Sequence, residues 1–259
     1  MQLSFLPRLA AAYTSPLQRI RVMSEHWVRT NVYCPNCGRV NIDKYTNNRP
    51  VGDFFCASCK EDYELKSQKG QFGNRITDGA YRTMVECLHA NKNPNFFLLN
   101  YDFPTLRVVN LLIIPKHFFT PQIIQKRNPL SETARRAGWT GCNILLQQIP
   151  HSGRIYLIKN RVVEAKAEVL DKWKKTLFLR EQKDTSAKGW LLNVMRCVEK
   201  LNRETFSLDD VYLFEHELKQ IYPGNRHVKE KIRQQLQVLR DKGYLEFIGR
   251  ASYRLRKVD

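Results

Sequence analysis

The stretch Asp53-Phe54-Phe55-Cys56-Ala57-Ser58-Cys59-Lys60-Glu61-Asp62-Tyr63-Glu64-Leu65-Lys66 decides how this chain is read. Asp53 lies eleven residues before Glu64, and Lys66 two residues after it. Val51, Phe54 and Phe55 suit one strand and Glu64-Leu65-Lys66 a second. Side chains at i and i+2 of a strand point to the same face. Glu64 and Lys66 therefore share a face, and Asp53 reaches it from the neighbouring strand. Cys56 and Cys59 occupy the turn between.

Those two cysteines pair with Cys34 and Cys37, eighteen residues lying between the two pairs. Two CxxC turns at this spacing fit a four-cysteine zinc site. Gly38 helps the first knuckle turn tightly. Four protein ligands leave no open position, so the zinc is expected to be structural. A redox CxxC would need a βαβ context, which is missing. Cys87, Cys142 and Cys197 sit among apolar or mixed neighbours and read as buried free thiols.

Asp53 and Glu64 suit a divalent cation, Mg²⁺, with the Leu65 carbonyl as a third ligand. Such a metal polarises a phosphate and lowers the pKa of a bound water. Lys66, beside two carboxylates that favour its charged form, reads as an electrostatic stabiliser rather than a general base. Asp53, Glu64 and Lys66 are thus a candidate catalytic set for phosphodiester hydrolysis. By itself the motif is weak, because a solvated strand edge looks the same. The basic balance of the chain and Pro50, just ahead of Asp53, strengthen it.

The chain has 259 residues and a formal net charge of +18. The length allows a sizeable core and two domains. The charge points to a polyanionic partner, most simply nucleic acid. Both parts share it: net +13 over residues 1–182 and +5 over 183–259. No run of 18 apolar residues exists, which excludes a spanning helix of that kind. The first residues lack a basic n-region and a full h-region, so a signal peptide is not expected. A cytoplasmic protein is.

Residues 1–33 read as helical or mixed, with Ser24 capping a short helix over Glu25–Arg29. Asp78 to Ala90 has amphipathic helical spacing, with Ala80, Met84, Cys87 and Leu88 on one face. Phe96 to Tyr101 and Val108 to Ile114 are apolar runs that suit central strands buried on both faces. Ile155 to Ile158 is another strand. This order suits an α/β core with a mixed sheet.

Polar residues 181–188 mark a boundary, giving domains 1–182 and 183–259. Beyond it Gly189 to Leu201 reads as a helix, and Ser207 caps a second with Asp209 and Asp210 in its first turn. Residues 225–242 form a third, basic helix that Gly243 stops. A hairpin follows around Gly249-Arg250. Three helices and a hairpin are the winged-helix pattern. In the third helix Val228, Ile232 and Leu236, extended by Gln235 and Leu239, should face the core. Arg226, Lys229, Arg233 and Gln234 face away, with His227 beside them, as candidates for DNA contact. Arg250, Arg254 and Arg256 would lie on phosphate or in the minor groove. Arg135-Arg136-Ala137-Gly138-Trp139 is the other candidate: paired arginines suit phosphates, and Trp139 a base.

Taken together these residues resemble the DpnI family of methyl-directed type II restriction endonucleases over essentially the whole chain. The resemblance rests on the Cys34/Cys37/Cys56/Cys59 frame, Asn47-Asn48-Arg49-Pro50, Asp53, Glu64-Leu65-Lys66, Asp78-Gly79-Ala80-Tyr81, Asn93-Pro94-Asn95-Phe96-Phe97, Thr133 to Trp139 and Lys229 to Leu236. It implies a PD-(D/E)xK restriction-endonuclease-like core with an embedded zinc ribbon, followed by a winged helix-turn-helix domain. It further implies Mg²⁺-dependent cleavage of duplex GATC carrying N6-methyladenine, read by both domains, with Trp139 at the methyl-sensing pocket. One departure is that Val51 and Gly52 separate Pro50 from Asp53, which leaves the acid on its strand. The end of the recognition helix and the wing match the family less closely.

The expected partner is double-stranded DNA with adenine-methylated GATC, no membrane is involved, and the chain is expected to act as a monomer. Two rivals stand beside this reading. A non-catalytic zinc-ribbon, winged-helix regulator would lack any use for the acid–x–lysine hairpin. An RNA-processing nuclease is disfavoured because a winged helix suits the B-form major groove.

Overall fold

The computed structural model describes residues 1–46 and 52–256. Pro50 and Val51, and with them the Asn47-Asn48-Arg49-Pro50 run, lie outside the described residues. In chain order the elements are α1 (Pro16–Asn31), β1 (Asp43–Lys44), β2 (Phe54–Phe55), β3 (Asp62–Lys69), β4 (Arg75–Ala80), α2 (Tyr81–His89), β5 (Asn95–Asp102) and β6 (Arg107–Ile114). There follow β7 (Ile124–Lys126), β8 (Gly141–Leu145), β9 (Ile155–Lys159), β10 (Val162–Val163) and α3 (Lys166–Lys174). The C-terminal part holds α4 (Thr185–Lys200), β11 (Thr205–Ser207), α5 (Leu208–Tyr212), α6 (Glu215–Ile221), α7 (Val228–Asp241), β12 (Leu245–Gly249) and β13 (Ser252–Leu255).

A seven-stranded mixed sheet in the order β1-β2-β3-β5-β6-β9-β10 forms the centre. β3 and β5 run parallel, from Tyr63 opposite Asn95 to Lys69 opposite Tyr101. The two apolar runs take the middle, as their composition predicts. Phe96 and Leu98 of β5, with Leu112 and Ile114 of β6, pack on one face. Phe97 and Leu99, with Leu111 and Ile113, pack on the other against Trp27 and Val28 of α1 and Trp173 of α3. Truncating a residue such as Phe97 to alanine should cost about 3–5 kcal/mol.

On the first face β4, β8 and β7 form a small antiparallel sheet. That face also carries the C-terminal helices: Trp190, Leu191, Val194, Ile232 and Leu236 belong to the same apolar cluster as Phe96 and Leu98. The C-terminal part has the winged-helix composition of helices and a β12–β13 hairpin, to which β11 adds a third strand. No helix of the described residues is long and apolar enough to cross a membrane.

Several expectations need correction. The N-terminal helix spans Pro16–Asn31, not Glu25–Arg29, with Pro16 in its first turn. Ser24 is buried inside it rather than at its cap, and its hydroxyl donates to the Arg21 carbonyl 3.1 Å away. Proline fits a first helical turn because its missing N–H has no partner there. The amphipathic helix begins at Tyr81, because Arg75–Ala80 pairs with β8 as a strand. Met84 and Leu88 are buried as predicted, but Cys87 is only half-buried, unlike Cys142 and Cys197. The second helix of the winged domain is two short helices, α5 and α6. The third starts at Val228, so Arg226 and His227 lie just before it.

Candidate active site, metal centre and nucleic-acid interface

β2 pairs with β3 at Phe54–Tyr63 and Phe55–Asp62, and among the described residues no strand lies beside β3 beyond Tyr63 on that edge. The Asp53 N–H donates to the Tyr63 carbonyl (2.8 Å), continuing the ladder by one step. The Asp53 carboxylate then takes over from backbone and accepts the Leu65 N–H at 2.8 Å. A strand residue sends its N–H and C=O to one edge. The Leu65 carbonyl therefore leaves β3 on the Asp53 side.

Glu64 and Lys66 share the face of β3 opposite Tyr63 and Leu65, and their side chains form an ion pair. The Lys66 ammonium makes a second pair with Asp78 of β4 at 2.5 Å, and lies 5.9 Å from the centre of the Phe96 ring. Burial pushes the Glu64 carboxyl up to about 7, against the pull of Lys66 and with a further push from Asp78. Burial also raises Asp53, opposed by the Leu65 N–H and reinforced by Glu25 of α1. For Lys66 burial works against the charge, but Glu64 and Asp78 outweigh it and hold the ammonium protonated. Two carboxyls raised chiefly by burial and one firmly cationic lysine thus lie along β3.

The four cysteines of the neighbouring turns converge: all their sulfurs lie within 4.8 Å of one another. Cys34 and Cys59 are 3.5 Å apart, and Cys37 and Cys56 are 3.6 Å apart. Disulfides require about 2.05 Å. Sulfurs at about 2.3 Å from one tetrahedral ion lie about 3.8 Å apart, which these approach. The Tyr63 hydroxyl is 3.0 Å from Cys34 Sγ, the kind of outer contact that orients a ligand. Burial raises Cys34, whereas Cys37, with backbone N–H of Arg39 and neighbouring thiols outweighing burial, falls to about 7. The cluster can hold a zinc ion. Gly38 sits at φ +77°, as a tight knuckle turn requires.

In the C-terminal part Asp184 caps α4, its carboxylate accepting the Ala187 N–H at 2.6 Å. Ser207 and Asp210 form a reciprocal capping box at α5. Val228, Ile232, Gln235, Leu236 and Leu239 of α7 are buried. Arg226, His227, Lys229, Arg233 and Gln234 are exposed. Lys229 pairs with Glu215 at 3.6 Å, and Gln234 accepts from Lys231 at 2.7 Å. Arg250, Arg254 and Arg256 are exposed on the wing.

A nuclease-like hairpin, a four-cysteine cluster and a winged helix on one chain make its ancestry testable by comparison. The family model described as DpnI, the Dam-replacing family, matches residues 1–182, and the Dam-replacing HTH domain matches residues 186–255. The chain belongs to the DpnI family. Membership makes it a Dam-replacing restriction enzyme with a DNA-binding winged helix, in agreement with the resemblance carried by its motifs.

Within this family member the second DNA-binding candidate, Arg135 to Trp139, is a loop between β7 and β8. It is closed on itself by Leu130 N–H to the Trp139 carbonyl (2.9 Å) and Gly138 N–H to the Leu130 carbonyl (3.1 Å). Arg135 and Arg136 are exposed, Trp139 is half-buried, and the Arg136 guanidinium stands 4.6 Å above the Trp139 ring. The loop is tied to the hairpin region: the Tyr81 N–H donates to the Thr140 carbonyl, and Cys142 of β8 stands opposite Asp78.

Sequence reading missed three acidic or basic neighbours of the hairpin. Asp78 was placed on a helix and given no role, although it contacts Lys66. Glu25 is buried in α1 and pairs with Lys44 at 2.7 Å. The signal in the sequence is spacing: Glu25 stands three residues before Val28 and seven before Val32, an acid in line with the apolar stripe of a helix.

Proposed function

We propose that this chain is a Mg²⁺-dependent type II endonuclease that cleaves double-stranded DNA at GATC sites carrying N6-methyladenine. The observation that carries the proposal is the open edge of β3, where the Asp53 carboxylate, the Leu65 backbone, Glu64 and Lys66 are assembled from two strands. Asp53, Glu64 and the Leu65 carbonyl would hold the Mg²⁺, a hard cation that takes oxygen ligands. Bound there, the ion would polarise the phosphate and acidify a water.

The rest is the work of side chains. Lys66, kept cationic by two carboxylates, stabilises negative charge that develops on the phosphate. Its high affinity for the proton makes it a poor base, so the stabilising role fits better. Arg135 and Arg136 offer phosphate contacts, and Trp139 a flat apolar face for a base. Arg226, His227, Lys229, Arg233 and Gln234 would read the major groove, with the wing arginines on phosphate. The four-cysteine cluster serves as a structural zinc clip for the catalytic hairpin. The domain boundary falls between 182 and 183, and one chain carrying one catalytic set and two readers is proposed to act as a monomer.

One methyl group buried in one pocket gives on the order of 1 kcal/mol, which is weak discrimination. Two methyl groups per palindrome, read by two regions, would multiply it. The decisive experiment digests one plasmid, prepared with and without adenine methylation at GATC, with Mg²⁺ or EDTA. Cutting of methylated DNA alone, and with Mg²⁺ alone, is expected. Cutting of both plasmids would remove the methyl specificity. Cutting of neither would leave a DNA-binding protein without this activity.

A further inference from the structure

We propose that Asp78 is the positioning residue that keeps Lys66 in place when Glu64 is committed to a metal, an inference that rests on the catalytic reading above. Lys66 has two carboxylate partners, Glu64 from its own strand and Asp78 from β4. The two belong to different sheets, since β4 pairs with β8 and not with β3. Asp78 is the more enclosed, its side chain 7% exposed against 24% for Glu64.

The β4–β8 register slips between Asp78 and Ala80, which stand opposite Cys142 and Gly141. A bulge of this kind re-aims a side chain. Here it lies beside Asp78, whose carboxylate meets the Lys66 ammonium. Among the described residues, the four cysteines are the only group of three or more ligand-type side chains whose atoms converge within 4.8 Å. Asp53, Glu64 and Asp78 therefore do not converge on one ion, and Asp78 stands with the lysine.

The consequence is a division of labour. An oxygen of Glu64 engaged by a cation is less available to Lys66. A half-buried ammonium that loses its partner swings toward water or toward another anion. Asp78, anchored in a separate sheet, holds it at the face of β3 with the Phe96 ring beside it.

The test uses the full chain and single-turnover cleavage of a duplex with one methylated GATC site. Binding of the same duplex is measured separately with Mg²⁺ omitted. Asp78→Asn, Asp78→Glu and Lys66→Ala are compared, together with the Asp78→Asn/Lys66→Ala pair, each checked for an unchanged melting transition. Asp78→Asn is expected to slow saturated cleavage by about 100-fold, the scale of a misplaced reacting group, with DNA affinity and Mg²⁺ half-saturation unchanged. Asp78→Glu should recover about tenfold of that loss, because it restores the charge. In the Lys66→Ala background Asp78→Asn should cost nothing further, since residues acting as a unit are non-additive. Cleavage by Asp78→Asn at the wild-type rate would overturn the proposal, as would a loss repeated in full without Lys66. So would a raised Mg²⁺ requirement with full rate at saturation, which would make Asp78 a metal ligand. If Lys66→Ala itself cuts at the wild-type rate, the catalytic reading falls first and this one with it.

Discussion

The β2–β3 hairpin and helix α7 both carry charge, but they hold it in opposite ways. At the hairpin the side chains of Asp78, Lys66 and Glu64 are no more than a quarter exposed, and burial shifts the Asp53 and Glu64 carboxyls upward. On α7 the basic residues are in water, and Lys229 at 53% exposure is paired only loosely with Glu215. Charges removed from water interact strongly and resist rearrangement. Charges in water are screened and exchange partners cheaply. The first arrangement suits chemistry on one bond, the second a search along a polyanion.

The largest effect is expected from Lys66→Ala. Cleavage is expected to fall by about 10²- to 10³-fold, the range for removing a group that stabilises charge developing in the transition state. Binding of methylated DNA, measured by fluorescence anisotropy without Mg²⁺, should hold. Loss of both together would mean that Lys66 holds the fold rather than the reaction.

Next comes the metal clip. Cys56→Ser should cost more than about 4 kcal/mol in urea unfolding and abolish zinc by elemental analysis. The winged helix should keep its DNA affinity if its core is independent of the clip. A fully stable Cys56→Ser protein would remove the metal from the hairpin's account.

Acidity gives a smaller effect. The Glu64 carboxyl is raised from 4.5 to about 7. Its proton stabilises the metal-free fold below the ordinary value, and that contribution is lost as pH rises through about 7. A metal needs the carboxylate, so Mg²⁺ half-saturation should weaken by roughly tenfold per unit of pH below 7. Titrations at pH 6 and 8 check this, and a flat profile would contradict the burial of Glu64. Glu64→Gln should flatten the stability profile of the metal-free protein over the same window.

The smallest effects belong to α7. Arg233→Ala should weaken specific binding by about 1–3 kcal/mol if it meets a base edge. Lys229→Ala should weaken all sequences alike and lower the salt slope by about one, as a phosphate contact does. Equal, sequence-independent losses from both would make the whole face a phosphate surface.

The features legible in residue order alone are local in origin. The i, i+2 spacing put Glu64 and Lys66 on one face. The CxxC pairs announced a four-sulfur cluster, and the unbroken apolar runs of β5 and β6 a sheet centre buried on both sides. Val228, Ile232 and Leu236 marked the buried stripe of α7. Each rests on a period or a spacing that backbone geometry imposes within a few residues.

Contacts between distant segments carry what no period encodes. Asp78 reaches Lys66 only because Arg75–Ala80 pairs with β8 as a strand, while the sequence there continues a plausible helical pattern. Glu25 comes near Asp53 because α1 packs across β3, where Ser24 also meets Ser67 at 3.2 Å. The upward shift of Glu64 likewise follows from burial beneath segments distant in sequence. Desolvation and through-space charge depend on which segments the fold brings together, and no local spacing carries that information.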